Sequence, residues 1–298
     1  MSTKHKKPKI SRIQKKTFRK LRCSPSNNTN IEYSCYTSDA LIKLKNYWNA
    51  RHPDKAIASN DPRTIWSYLR YYMGNVCNTE ACWLRQKFID SKLEKDLLNN
   101  TFAPYAPESW KKNPNTWLNS LDIMNVLKQY EKSHPNFKFI GPSPIDFDKR
   151  KMYGECVWDE LCNFNLKKIM ESGKNKIGIV FNLDPHYKSG SHWVSMFIDL
   201  KKKFIFYFDS NGDKPKKQFK KLANRIILQA KQLPNPIHLT FDQNHPTRHQ
   251  RRNTECGVYS LYLIIELLNE TKSPEFFKKN KILDDDMEKF RYKYFNHK

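Results

Sequence analysis

Thirteen residues near the C-terminal end, CGVYSLYLIIELL (256–268), are apolar on nearly every side of a helix. A surface helix shows one apolar stripe, whereas a helix that is apolar all round has to be buried. This one is also too short to cross a bilayer, which takes about 20 apolar residues. The chain is therefore expected to be a globular protein layered round a central helix that begins at Cys256. Its 298 residues, 38% of them hydrophobic, suffice for one substantial catalytic domain plus a smaller appendage.

The layers are readable in part. KIGIVFNL (176–183) is a continuous apolar strand, and HWVSMFIDL (192–200) and KFIFYFDS (203–210) form a hairpin through Lys201 and Lys202. IHLTF (237–241) reads as a further strand. Over 215–234, Phe219, Leu222, Ala223, Ile226, Ile227, Ala230 and Leu233 fall on one face of an amphipathic helix. Residues 103–298 are thus expected to be a mixed α+β catalytic domain, with APYAPESWKKNP (103–114) as a linker or surface crossing. Residues 31–102 read as a small helical domain. Leu41, Leu44 and Trp48 keep helical spacing, as do Ile65, Leu69, Tyr72 and Met73 after the start signal Asn60-Asp61-Pro62. Aromatics at 47, 48, 66, 68, 71 and 72 alternate with Lys and Arg. Their spacing favours core packing over base stacking.

Residues 1–30 show no apolar period and read as a flexible tail. Its first 22 residues carry ten Lys or Arg and no acid, within a chain of net charge +24. Such a field favours polyanions, so nucleic acid is the partner expected for the tail, with a nuclear-localisation signal as another use of the same charges. No apolar stretch follows the basic residues, and none of the chain is a membrane span, so neither secretion nor insertion is expected. Seven irregularly spaced cysteines then imply reduced thiols in a cytosol-like compartment. Cys77/Cys82 and Cys156/Cys162 do not make a zinc site, and His245 and His249 lie in a Pro-containing loop rather than on one helix face. No metal and no cofactor is expected.

Chemistry collects elsewhere. A thiol at a helix start faces the positive end of the helix dipole, which favours thiolate, and Gly257 leaves room for a substrate carbonyl close to the backbone. His192 opens one strand of the hairpin and Asp209 closes its neighbour 17 residues on. That placement suits a carboxylate that orients an imidazole whose other nitrogen faces the thiol.

The order His192-Trp193, Phe208-Asp209-Ser210, then Gln250-x5-Cys256-Gly257 resembles the adenovirus endopeptidases and the SUMO-processing proteases. Trp117, in WLNSLDI, resembles that family's Trp-Leu-Asn-Asp motif. RHQRRNTECGVYSLYLI (248–264) is most similar to the polyprotein-processing thiol proteases of large cytoplasmic DNA viruses, of the African swine fever virus and giant amoebal virus type. The resemblance spans roughly residues 105–270. It implies that Cys256 is the nucleophile, His192 the base and acid, and Asp209 the orienting acid, although some viral relatives use Asn there. It further implies that Gln250 donates to the oxyanion, a part Asn253 could also fill. Trp117 and Trp193 would form a narrow tunnel that admits glycine. The function implied is an endopeptidase that cuts viral structural precursors after Gly-Gly-like sites during virion maturation, in the virion and the host cytoplasm. Removal of a ubiquitin-like modifier is the close rival. A basic nucleic-acid-binding virion protein is the rival outside enzymology.

Overall fold

The computed structural model describes residues 18–25 and 32–297. It divides into two compact units, Met1–Pro104 and Tyr105–Lys298.

Among its described residues the first unit has four α-helices: α1 (Ser38–Arg51), α2 (Pro62–Met73), α3 (Glu80–Trp83) and α4 (Ser91–Thr101). The side chain of Asp61 caps α2 by accepting from the Thr64 amide, and Pro62 takes the first helical position, where a missing N–H costs nothing. Leu41, Leu44, Ile65 and Leu69 are wholly buried. Trp48 stacks on Tyr72 with ring centroids 5.3 Å apart, so these two aromatics serve packing. Most of the basic tail expected over 1–30 lies outside the described residues. Residues 18–25, however, are fixed to the helices. Leu21 is buried, Cys23 pairs with Phe102 across a β-bridge, and the Ser24 amide donates to the Thr101 carbonyl.

The second unit contains a five-stranded sheet in sequential order: β1 (Phe137–Pro144), β2 (Lys176–Asn182), β3 (Trp193–Asp199), β4 (Phe204–Phe208) and β5 (Thr240–Gln243). The outer pairs β1/β2 and β4/β5 run parallel, and the two inner pairings are antiparallel. Helices α5 (Ser120–Ser133), α6 (Asp159–Cys162), α7 (Leu166–Glu171), α8 (Lys217–Lys231), α9 (Cys256–Leu268), α10 (Pro274–Lys279) and α11 (Asp284–Tyr294) complete it. Trp193, Phe197, Phe206 and Phe208 share one core with α5 and α9. Val194, Met196, Ile198, Ile205 and Tyr207 share the other with α8. The sheet is covered on both faces, which is why its strands read as continuous apolar runs rather than alternating ones. All thirteen residues of α9 are buried. Gly178 lets α9 approach the sheet, since a Cβ there would stand 2.9 Å from both Ile264 Cγ2 and Phe137 Cζ.

Four expectations need correction. Strand β1 goes unread in the sequence because Gly141-Pro142 interrupts it, and the register shifts at that point. Strand β5 starts at Thr240, three residues later than read. The 103–114 segment is more than a linker, because Trp110 is buried against Phe295. Finally, six cysteines are paired rather than reduced: Cys23–Cys35, Cys77–Cys82 and Cys156–Cys162, leaving Cys256 free. The partners are only 12, 5 and 6 residues apart, so closing each loop costs little entropy. No described helix is long and apolar enough to cross a membrane.

Candidate active site

Strand register brings the first two groups together. Ser195 faces Phe208 across the β3/β4 ladder, and His192 and Asp209 each lie just beyond that paired end of their strands. His192 Nε2 donates to Asp209 Oδ1 at 2.8 Å. The acid is held firmly. Asp209 is 1% exposed, its Oδ1 also accepts from the Asn211 amide, and its backbone N–H and C=O both bond the Asn244 side chain. The Cys256 side chain interacts with His192 as well. Burial pushes the imidazole toward neutrality, but its hydrogen bonds to Asp209 and Cys256 and their negative charge win, lifting its pKa to about 10. His192 therefore carries a proton at neutral pH.

Cys256 is the first residue of α9. Gln250 is buried beside this group of residues. The Ser210 hydroxyl donates to its Oε1 at 2.7 Å, and the His249 and Gln250 amides both donate to the Ser210 carbonyl. With its carbonyl oxygen engaged, the Gln250 amide is oriented so that Nε2 is the group left to donate. Asn253 sits in the exposed part of the same loop. Trp193 is 9% exposed, its indole N–H donating to the Leu118 carbonyl at 2.8 Å, whereas Trp117 is 39% exposed. A Cβ on Gly257 would meet Leu118 Cβ at 3.0 Å and Trp193 Cδ1 at 3.3 Å, so that glycine is needed for close packing under the tryptophan.

Sequence reasoning missed Ser210, Asn244, Glu255, Asp284 and Arg291, all buried polar groups about the site. Only the acid run DDD at 284–286 carried a local signal, that of a helix start. His249 is a structural residue. Its Nε2 donates to the Phe277 carbonyl and its Nδ1 accepts from the Ile282 amide, while burial lowers its pKa to about 4. The cysteine pairs weighed as zinc ligands are disulfides, and the described residues contain no cluster of three or more metal-ligating side chains.

The arrangement offers a thiol at a helix start, an imidazole bonded to a buried carboxylate, and a buried side-chain amide whose oxygen is engaged, a set suited to acyl transfer. Comparison with known proteins agrees. The profile of the Ulp1 protease family, C-terminal catalytic domain, matches residues 126–298. A thiol protease of Acanthamoeba polyphaga mimivirus is 28% identical over 267 residues, covering 83% of this chain and 84% of that one. A SUMO-1 cysteine protease of African swine fever virus is 27% identical over 259 residues, covering 80% and 90%. A crystal structure of the African swine fever virus protease superposes with a TM-score of 0.64 at 21% identity, covering 93% of this chain and 96% of that one, and so shares the fold.

Proposed function

This chain belongs to the Ulp1 protease family, and from that membership we propose that it is an endopeptidase cutting viral structural precursors after Gly-Gly-like sites as particles mature. It is a cysteine-type peptidase. The observation that carries the finer reading is the chain of contacts from Asp209 through His192 to Cys256 at the head of a buried helix. Cys256 attacks the scissile carbonyl as thiolate. The oxyanion is received by the Gln250 amide and the Cys256 backbone N–H, and His192 gives its proton to the leaving amine. Water then hydrolyses the thioester, with His192 as base. Trp193, pinned over Gly257, and the exposed Trp117 line the approach to the thiol and favour substrate residues without side chains. Catalysis is assigned to Tyr105–Lys298. The particle and the host cytoplasm are the proposed sites of action.

A second reading, removal of a ubiquitin-like modifier, is favoured by the name of the African swine fever virus relative. Both are tested by offering the enzyme Gly-Gly-X peptides derived from precursors encoded alongside it, and separately a SUMO C-terminal fluorogenic conjugate. Cleavage of the peptides with little turnover of the conjugate supports the first reading. The reverse pattern replaces it with the second, and no cleavage of either by folded enzyme removes both.

A further inference from the structure

Helix α11 lies beyond the stretch whose motifs suggest catalysis, yet it brackets the loop that carries Gln250 and leads into Cys256. At its first turn, Asp284 Oδ2 accepts from the Arg251 and Arg252 amides at 3.0 Å each, while Oδ1 accepts from the Tyr259 hydroxyl of α9. Near its end, Arg291 is 2% exposed and Glu255 wholly buried, with Nε donating to Glu255 Oε2 at 2.7 Å. Glu255 is the residue immediately before Cys256.

The same guanidinium uses its remaining donors on backbone. Nη2 donates to the Thr254 carbonyl at 2.8 Å, and Nη1 to the carbonyls of Thr116 at 2.8 Å and Pro114 at 3.3 Å. Its Cζ lies 4.6 Å from the Trp110 ring centroid, and the Trp110 indole donates to the same Thr116 carbonyl. Two residues on, the Leu118 carbonyl holds the Trp193 indole, and Trp193 follows His192 in the chain. One side chain thus ties the segment before the nucleophile to the strap on which the residue after the histidine hangs. A buried ion pair adds little to stability over apolar residues of the same size, so stability alone does not account for a fork with this many directed bonds.

We propose that Arg291 is a positioning residue of the peptidase, joining the 250–255 loop to the 114–118 strap so that Cys256 and His192 keep their mutual distance. This rests on the assignment of those two residues above. Arg291 touches no reacting atom. Its contribution is geometric, and a lysine, with one nitrogen in place of a planar fork, cannot reproduce it.

The test uses the full chain with a Gly-Gly-X fluorogenic peptide, three variants, and iodoacetamide labelling of Cys256 followed across pH. Arg291→Lys keeps the buried positive charge. It should lower kcat on the order of 10²-fold, as a small misplacement of reacting groups does, with KM little changed. The acid limb of the labelling profile should move to higher pH as the thiol loses its imidazolium partner. The double variant Glu255→Leu/Arg291→Met replaces the ion pair with apolar side chains. It should regain the thermal stability of the parent while keeping both defects, and it carries the test should Arg291→Lys fail to fold. A stable double variant with parental kcat and an unmoved labelling profile overturns the proposal. Cys256→Ala separates the two levels of argument. If it still cleaves, the nucleophile assignment fails. If it is inactive while the double variant is fully active, only the role of Arg291 fails.

Discussion

His192 interacts with both Asp209 and Cys256, and the consequence is a proton held far above the ordinary histidine range. A folded value of about 10 against 6.5 for the free side chain means that the stabilisation it represents is fully present below pH 6.5 and lost as pH rises through 10. Activity that needs the proton for the leaving amine should therefore fall on the alkaline side near pH 10. Asp209→Asn removes one of the two raising contacts, so its alkaline limb should move toward neutrality while measurable activity remains, because the Cys256 contact survives. His192→Ala should leave none. Limbs that coincide in parent and Asp209→Asn would contradict this account. Gln250→Ala should cost about 10²–10³ in kcat, the usual loss for one oxyanion donor, with labelling of Cys256 unchanged. Asn253→Ala, in the exposed part of the loop, should be mild, and a reversed ranking would exchange the two. Cys256, His192 and Asp209 show their chemistry in their type and placement, whereas Gln250, Trp117 and Trp193 were named through the family resemblance. Ser210, Asn244 and Arg291 were illegible because an ordinary serine, asparagine or arginine acquires its task only from backbone groups brought up by the fold.

At the level of elements, α9, β2, β3, β4 and α8 were legible because each carries an uninterrupted period of its own. β1 was not, since its hydrogen bonds to β2 outweigh the local objection of a Gly-Pro pair, and that trade is invisible without the partner strand. The same partner relation gives a test of packing. Gly178 lies on β2 where α9 and Phe137 come within 2.9 Å of a would-be Cβ. Gly178→Ala should cost about 1–3 kcal/mol of stability by overpacking, measured by urea unfolding. Because α9 starts at Cys256, the same variant should also lower kcat. An unaltered unfolding midpoint would show that the helix and sheet have slack there.

For the molecule as a whole, the basic N-terminus is the feature most plainly written in composition, and its limit was the feature least well read. Residues 18–25 are held by Leu21, the Cys23–Cys35 bond and backbone pairing to the first unit. A truncation that tests the tail must therefore stop at residue 17. Removing those 17 residues takes away seven Lys or Arg. Peptide cleavage in dilute buffer should persist, while affinity for DNA or RNA falls and its salt dependence flattens, since fewer counterions are released. Loss of peptide cleavage by a folded truncated enzyme would instead tie the tail to catalysis. The cysteine pairing has a practical corollary. With six of seven thiols locked in disulfides and the last at the head of α9, one equivalent of a thiol reagent per chain becomes an active-site titrant. The label taken up counts competent enzyme, and two further equivalents appearing under reductant would report that one disulfide had opened.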